Sequence, residues 1–324
     1  MQFPLFTSVE ATMSATLNLR SKIFMLGSCF ADSMYENMSD AGLSVNSNPF
    51  GTTYNPISLS EILYRLIEGN DYTESELFNN DGLWHSYMHH GSFSKEDKQE
   101  TLTLINLSLQ QGRSDFLHSD VCIFTFGTAW VYELKETGKV VNNCHKMSQN
   151  IFNRRLLSVE EIVETWLKQL SLPVFDDKTI IFTISPIRHK ADGMHGNTIS
   201  KSTLQLAVAK LAEQETLKER VSYFPSYEIL LDELRDYRWF SDDLCHPSKQ
   251  AVQYIWEKFR NSAFSKQDIS AMDEIHRYRL LCRHRPLHPT PDKLAKLQRQ
   301  IDAERQSLQS KYGSIILASD NIAV

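Results

Sequence analysis

Two short stretches of this chain hold residue types suited to nucleophilic acyl chemistry. Gly27-Ser28-Cys29-Phe30-Ala31 stands where the apolar run Ile23-Phe24-Met25-Leu26 stops and a helical pattern begins. That helix is expected over Ala31 to Ala41, with Phe30, Met34 and Met38 spaced for one face. A serine at such a junction has its hydroxyl near free backbone N–H groups, where a developing negative charge is favoured. Ser28 therefore reads as a nucleophile, against the plainer role of a helix cap. Cys29 beside it carries a thiol that could react, but its side chain is expected to point elsewhere and to behave as a small hydrophobe. The second stretch is Ser241-Asp242-Asp243-Leu244-Cys245-His246-Pro247, just before a helix marked by Ala251, Ile255 and Phe259. In an Asp-x-x-His loop the carboxylate can orient the imidazole, which then takes a proton from the nucleophile. The three-residue spacing favours Asp243 over Asp242 as partner of His246.

Strand-like runs alternating with helical ones would position these groups. Ile23 to Leu26, Val121 to Phe126 and Thr179 to Ile184 read as buried strands. Ser58-x-x-Glu61 and Ser158-x-x-Glu161 read as capping boxes opening helices, and Leu204 to Leu217 continues the helical pattern. Trp130 to Val141 reads as a hairpin with Gly138 near its turn. Such alternation predicts a three-layer α/β/α fold around a mainly parallel central sheet. Sites in these sheets lie outside the carboxyl ends of the strands, where Ser28, Gly127 and Ser185-Pro186 all fall.

The motifs resemble the GSCFA-domain family, a bacterial branch of the SGNH (GDSL-type) hydrolases. Gly27-Ser28-Cys29-Phe30-Ala31 spells its signature. Asn48-Pro49-Phe50-Gly51 with Tyr54-Asn55-Pro56, then Phe126-Gly127-Thr128-Ala129-Trp130, are similar to its second and third blocks. Asn143-Cys144-His145-Lys146, Ser185-Pro186-Ile187-Arg188-His189, Tyr223-Phe224-Pro225-Ser226-Tyr227-Glu228 and Asp243-Leu244-Cys245-His246-Pro247 resemble further family stretches, in order over about residues 20 to 260. The resemblance implies that Ser28, Asp243 and His246 form a catalytic triad. It also implies an oxyanion hole from the Ser28 amide and Gly51. The asparagine donor that the superfamily carries in its third block is missing from Gly127-Thr128-Ala129, leaving Asn55, Thr128 or a backbone amide to replace it. Loss of such a donor costs about a hundred- to a thousandfold in rate.

Composition excludes some alternatives. The chain has 324 residues, 41% hydrophobic and 10% aromatic, enough for one large domain with an extension. Its net charge of −6 provides no basic footprint for nucleic acid. Met1-Gln2-Phe3-Pro4 does not read as a signal segment, and no apolar run is long enough for a membrane span. A cytoplasmic location is expected. The five cysteines contain no Cys-x-x-Cys pair, which argues against a disulfide framework or zinc ribbon.

Several other clusters are candidates for the substrate pocket. An irregular insertion is expected over about 70 to 117, carrying Trp84-His85-Ser86-Tyr87-Met88-His89-His90. Trp84, His85 and His90 could meet a polar ligand such as a sugar, or simply pack beneath a loop. No carboxylate or cysteine spacing completes a metal site there, so neither metal nor cofactor is expected. His145 is an alternative base, and Arg188 and His189 should sit near the top of the sheet, with Arg188 able to clamp a carboxylate or phosphate.

Residues 1–262 are thus expected to form the hydrolase domain and 263–324 a helical extension. In the extension Asp268 to Leu281 reads as one helix, ending among Arg277, Arg279, Arg283 and Arg285. Thr290-Pro291 starts another with Leu294, Leu297, Ile301 and Leu308 along a stripe. That stripe packs on the parent domain or forms a homodimer. The expected activity is cleavage of an acyl or acetyl ester, on a small molecule or carbohydrate. O-acyl transfer by the same triad and carbohydrate binding without catalysis are the alternatives.

Overall fold

The computed structural model describes residues 7–313 apart from positions 12, 14 and 15. Met1-Gln2-Phe3-Pro4 lies outside the described residues. β1 (Lys22–Gly27) leads into α1 (Cys29–Asp40), β2 (Ser44–Ser47) and α2 (Pro56–Glu68). A small antiparallel pair, β3 (Phe78–Asn80) and β4 (Leu83–His85), precedes α3 (Lys98–Leu117). After β5 (Val121–Phe126) come β6 (Trp130–Leu134), β7 (Val140–Val141) and β8 (Phe152–Leu156). These three make an antiparallel sheet in the order β7-β6-β8, which contains the expected hairpin. α4 (Val159–Leu170), β9 (Thr179–Ile184), α5 (Gly193–Ala212) and β10 (Val221–Phe224) complete the alternation. The turn α6 (Ser226–Glu228) runs into a π-helical segment Ile229–Leu234, and α7 (Lys249–Ala263), α8 (Lys266–Arg283) and α9 (Pro291–Tyr312) close the chain.

The central sheet has the order β2-β1-β5-β9-β10, with every pairing parallel. Its central strands β1, β5 and β9 are largely apolar on both faces because both are covered, as parallel sheets require. Alternation along β1 divides the core in two. Phe24 and Leu26 join the layer of α2, α3, α4 and α5, while Ile23 and Met25 join α1 and α7 on the opposite face. The three-layer α/β/α arrangement is therefore present.

Two local expectations are corrected. The irregular segment is shorter than 70–117, because residues 98–117 form α3 and bury Ile105, Leu109 and Phe116 in the core. Asp97 accepts a bond from the Glu100 amide at 2.7 Å, an N-cap legible as Asp-x-x-Glu. α2 is capped by Asn55 rather than Ser58, for Asn55 accepts from the Ser58 amide at 2.8 Å and Pro56 occupies the first helical position. Ser158 caps α4, as read from the sequence.

The last helices divide their duties. α8 packs against α1 and α7, and Arg283 pairs with Asp40 of α1 at 2.6 Å. In α9, Leu308 is buried against Ile275 and Tyr278 of α8, whereas Leu294 is 47% exposed. The far half of the stripe thus packs within the chain.

Candidate active site

The signature stretch is held by close backbone packing at the end of β1. A Cβ on Gly27 would lie 2.5 Å from the Thr125 side chain and carbonyl on β5, so only glycine lets the strands approach there. The Gly27 amide donates to Asn48 Oδ1 at 2.8 Å, and Asn48 Nδ2 donates to Asp32 Oδ1 at 2.6 Å. This network ties the loop after β2 to the first turn of α1 and fixes where Ser28 and Cys29 point.

They point apart. Ser28 is 1% exposed; its hydroxyl donates to Ser185 Oγ at 3.0 Å and accepts from the Phe30 amide at 3.3 Å. It is the N-cap of α1 and lies beneath the site rather than within it. Cys29, the first residue of α1, lines a cavity of about 380 Å³ above the carboxyl ends of the strands. Its Sγ lies 3.6 Å from His246 Nε2, contrary to the expectation that the thiol turns away.

His246 is the middle member of a connected set. Its Nδ1 lies 2.5 Å from Asp243 Oδ2, and Asp243 Oδ1 accepts from the amides of Cys245 and His246 at 2.9 and 3.0 Å. Those amides, the Cys245 one foremost, and the imidazole hold the Asp243 carboxyl well below the usual carboxylate range. The loop is pinned by Leu244 in the left-handed region and by a bond from the Ser241 amide to the His246 carbonyl at 2.8 Å. Asp243 thus holds His246 with one nitrogen bound and the other on the thiol. Burial pushes the Cys29 thiol up, with Asp32 adding to the effect; the amides of Cys29 and Phe30 and the charge of Lys201 act against it. The raised pKa favours the protonated thiol over the thiolate.

The chain as a whole can now be placed. The family model of GSCFA, the GSCFA family, matches residues 22–259. This chain belongs to the GSCFA family. No curated protein matches it. The matched span holds the sheet, Cys29, Asp243 and His246, and it ends within α7, so α8 and α9 lie outside it.

The other sequence candidates of this GSCFA protein are scattered. Arg188 and His189 line the cavity with Cys29 and His246, as do Asn55 and Thr128. Asn55 gives one side-chain N–H to Ser58 Oγ and accepts from the Ser58 amide, which leaves its second N–H as a candidate donor, and Thr128 Oγ1 is shared between Ser200 Oγ and the Trp130 amide. Gly51 is absent from the lining and gives its N–H to the Asn48 carbonyl at 2.8 Å. Its positive φ, and the 2.3 Å at which an added Cβ would meet His90 Cβ, give it a turn-making role. Cys29 is the first residue of α1, where backbone N–H groups have no intrahelical partner.

Trp84, His85, His90 and His145 do not line this cavity. His85 bonds Ser94 Oγ and the Asn80 carbonyl, His90 caps a short 3-10 turn, and His145 Nε2 meets the Ser86 carbonyl at 2.8 Å. Trp84 lies under the Lys98 ammonium. Among the described residues no group of three or more His, Cys, Asp or Glu side chains could hold a metal ion. No helix among them is long and apolar enough to cross a membrane.

Residues that sequence reasoning missed complete the walls. Tyr54, Trp130, Tyr132 and Asn142 line the cavity, and the buried Nε2 of His189 has no hydrogen-bond partner among the described residues. Burial holds His189 down to about 4, so it is neutral near pH 7. Beneath the floor, Lys201 is fully buried and donates to the carbonyls of Gly127 and Ser185 at 2.6 and 2.7 Å, joining the ends of β5 and β9. Its place in the middle of α5 offered no signal in the sequence.

Proposed function

We propose that this GSCFA protein is an acyl-transferring hydrolase on an SGNH (GDSL-type) scaffold of the bacterial kind, with Cys29 in place of Ser28 as nucleophile. The observation that carries the reading is the chain of contacts Cys29 Sγ, His246 Nε2, His246 Nδ1 and Asp243 Oδ2. That chain has the roles of nucleophile, base and orienting carboxylate.

In the first step the thiol gives its proton to His246 Nε2 as sulfur bonds to the ester carbonyl carbon. The carbonyl electron pair moves to oxygen, and the Cys29 N–H at the start of α1 receives it. Collapse breaks the carbon–oxygen bond, and the leaving alcohol takes the proton from His246. A thioester on Cys29 remains. Water, or the hydroxyl of a small molecule or carbohydrate, then gives its proton to His246 and attacks that thioester, which separates esterase from O-acyltransferase. Asp243 stays ionised throughout and stabilises the imidazolium. No cofactor enters these steps. A reducing cytoplasmic setting belongs to the same reading, since it keeps the thiol of Cys29 free.

The test is the chemical identity of the acyl-enzyme. Brief reaction with p-nitrophenyl acetate, followed by peptide mass spectrometry, should place an acetyl group on Cys29 that neutral hydroxylamine removes. Acetyl on Ser28, or no acyl-protein across a broad ester panel, would overturn the assignment. Tyr54, Trp130 and Tyr132 in the lining favour one other reading, carbohydrate binding without turnover. Sugar binding that survives Cys29→Ala, with no acylation of the native protein, would select it.

A further inference from the structure

We propose that the cavity is selective for acyl groups carrying a carboxylate, and that Arg188 is the residue that binds it. The inference rests on Cys29 being the nucleophile and names the class of substrate it attacks. Arg188 lines the same cavity as Cys29 and His246. Its guanidinium lies 4.0 Å from the centroid of the Phe240 ring and 5.3 Å from that of Tyr237. Among the described residues its side chain makes no hydrogen bond and no ion pair. The rings offer no acceptor in line with its N–H groups, so the fork that meets a carboxylate in two parallel bonds is unspent among the described residues.

The surrounding charges sharpen the choice. Lys190 gives its ammonium to the Asp243 carbonyl, Arg154 pairs with Asp192, and Lys201 is spent on two carbonyls below the floor. Asp243, the carboxylate of the lining, is spent on His246 and two amides. Arg188 is thus the uncommitted cation of the lining among the described residues, and one guanidinium matches one negative charge. A carboxylate fits that count, whereas a phosphate dianion would leave a charge unmatched.

Arg188 is also placed rather than free to wander. Its amide donates to the Cys245 carbonyl at 3.1 Å, so its backbone is fastened to the residue preceding His246. Phe240 is in turn bridged to Pro247, the residue following it. The anion-binding edge and the base therefore move as one loop pair, and a carboxylate on Arg188 would present its acyl carbon at a fixed position relative to His246.

Competing alkylation of Cys29 by iodoacetate and iodoacetamide tests this without knowledge of the natural substrate. In both, sulfur displaces iodide and the thiol proton leaves, but only iodoacetate carries a carboxylate. The ratio of the two rates at Cys29, divided by the same ratio for N-acetylcysteine, should be about tenfold or more in the native protein. Arg188→Gln should bring it to about one, and Arg188→Lys, which keeps charge but not the fork, should leave it between. A native ratio near one, or a raised ratio that Arg188→Gln leaves intact, overturns the proposal. If neither reagent modifies Cys29, the nucleophile assignment fails, and thermal shift with succinate decides Arg188 separately. A succinate-dependent rise in Tm that is absent in Arg188→Gln supports the carboxylate site; no rise, or a larger one with inorganic phosphate, overturns it.

Discussion

Two groups of imidazoles in this molecule make different use of the same side chain. Around β3 and β4, His85, His89, His90 and His145 bond to serine hydroxyls and backbone carbonyls, and all but His90 pack against other rings. His89 lies 4.3 Å from Phe50 and His85 lies 4.4 Å from His145 between ring centroids. At the carboxyl ends of the sheet, His246 has one nitrogen on a carboxylate and the other on a thiol, on a half-exposed loop. The first group is richer in histidine, yet none of its members lines the cavity, and the one buried nitrogen among them without a hydrogen-bond partner among the described residues, His89 Nε2, lies away from it. The second has fewer rings and keeps a proton-accepting atom at an open cavity. What sets His246 apart is its position, with one nitrogen on a carboxylate and the other beside a thiol at the cavity.

The sharpest way to break the comparison is at the signature. Cys29→Ala should lower acyl transfer by about three orders of magnitude or more. Ser28→Ala should cost about 1 kcal/mol of stability through loss of the α1 cap, read in denaturant unfolding, with a far smaller change in turnover. The reverse result would return the nucleophile to Ser28.

Replacing one histidine from each group gives the next largest contrast. His246→Ala should reduce turnover by about a hundred- to ten-thousandfold, and Asp243→Asn should act in the same direction. His85→Ala or His145→Ala should change kcat little, and should lower unfolding free energy by about 1–3 kcal/mol through buried bonds left unmade. A large kcat loss at His145 would make it the base.

Smaller effects follow from pH. Because burial and Asp32 push the Cys29 thiol up, alkylation of Cys29 should continue to rise above the pH at which an ordinary thiol levels off. Asp32→Asn should move that limb toward neutral pH, since it removes a charge that opposes the thiolate. The smallest signal concerns stability. Burial holds His89 down to about 3 and His189 to about 4. Between the ordinary histidine pKa and those values the unfolded chain binds protons that the fold does not, so stability falls as pH is lowered. His89→Leu should flatten the fall of Tm between pH 7 and 5, with the sign reversed only if His89 were charged in the fold.

Much of the architecture was legible in the chain. The continuous apolar runs of β1, β5 and β9 predict strands buried on both faces, and Ser158 announces α4 by its capping pattern. α3 is hard to read from the chain because polar residues dominate its exposed face and leave Asp97 as its main local signal. In the site, Asp243 and His246 were legible because their pairing is local, three residues apart. The scatter of Trp84, His85, His90 and His145 was not, since residue type says nothing about which partners consume a polar atom.

The sequence by itself determined the alternation of strands and helices, the parallel sheet and the end of it where a site must lie. Short-range patterns of burial and capping carry that information. Only the tertiary structure decided between two adjacent side chains. Ser28 and Cys29 differ by one step at a strand-to-helix turn, and their directions are set by Gly27 against Thr125 and by the Asn48–Asp32 network. It also decided that Arg188 stands over Phe240 beside that thiol with no ion pair among the described residues, because both come to the cavity from strands and loops more than 150 residues apart.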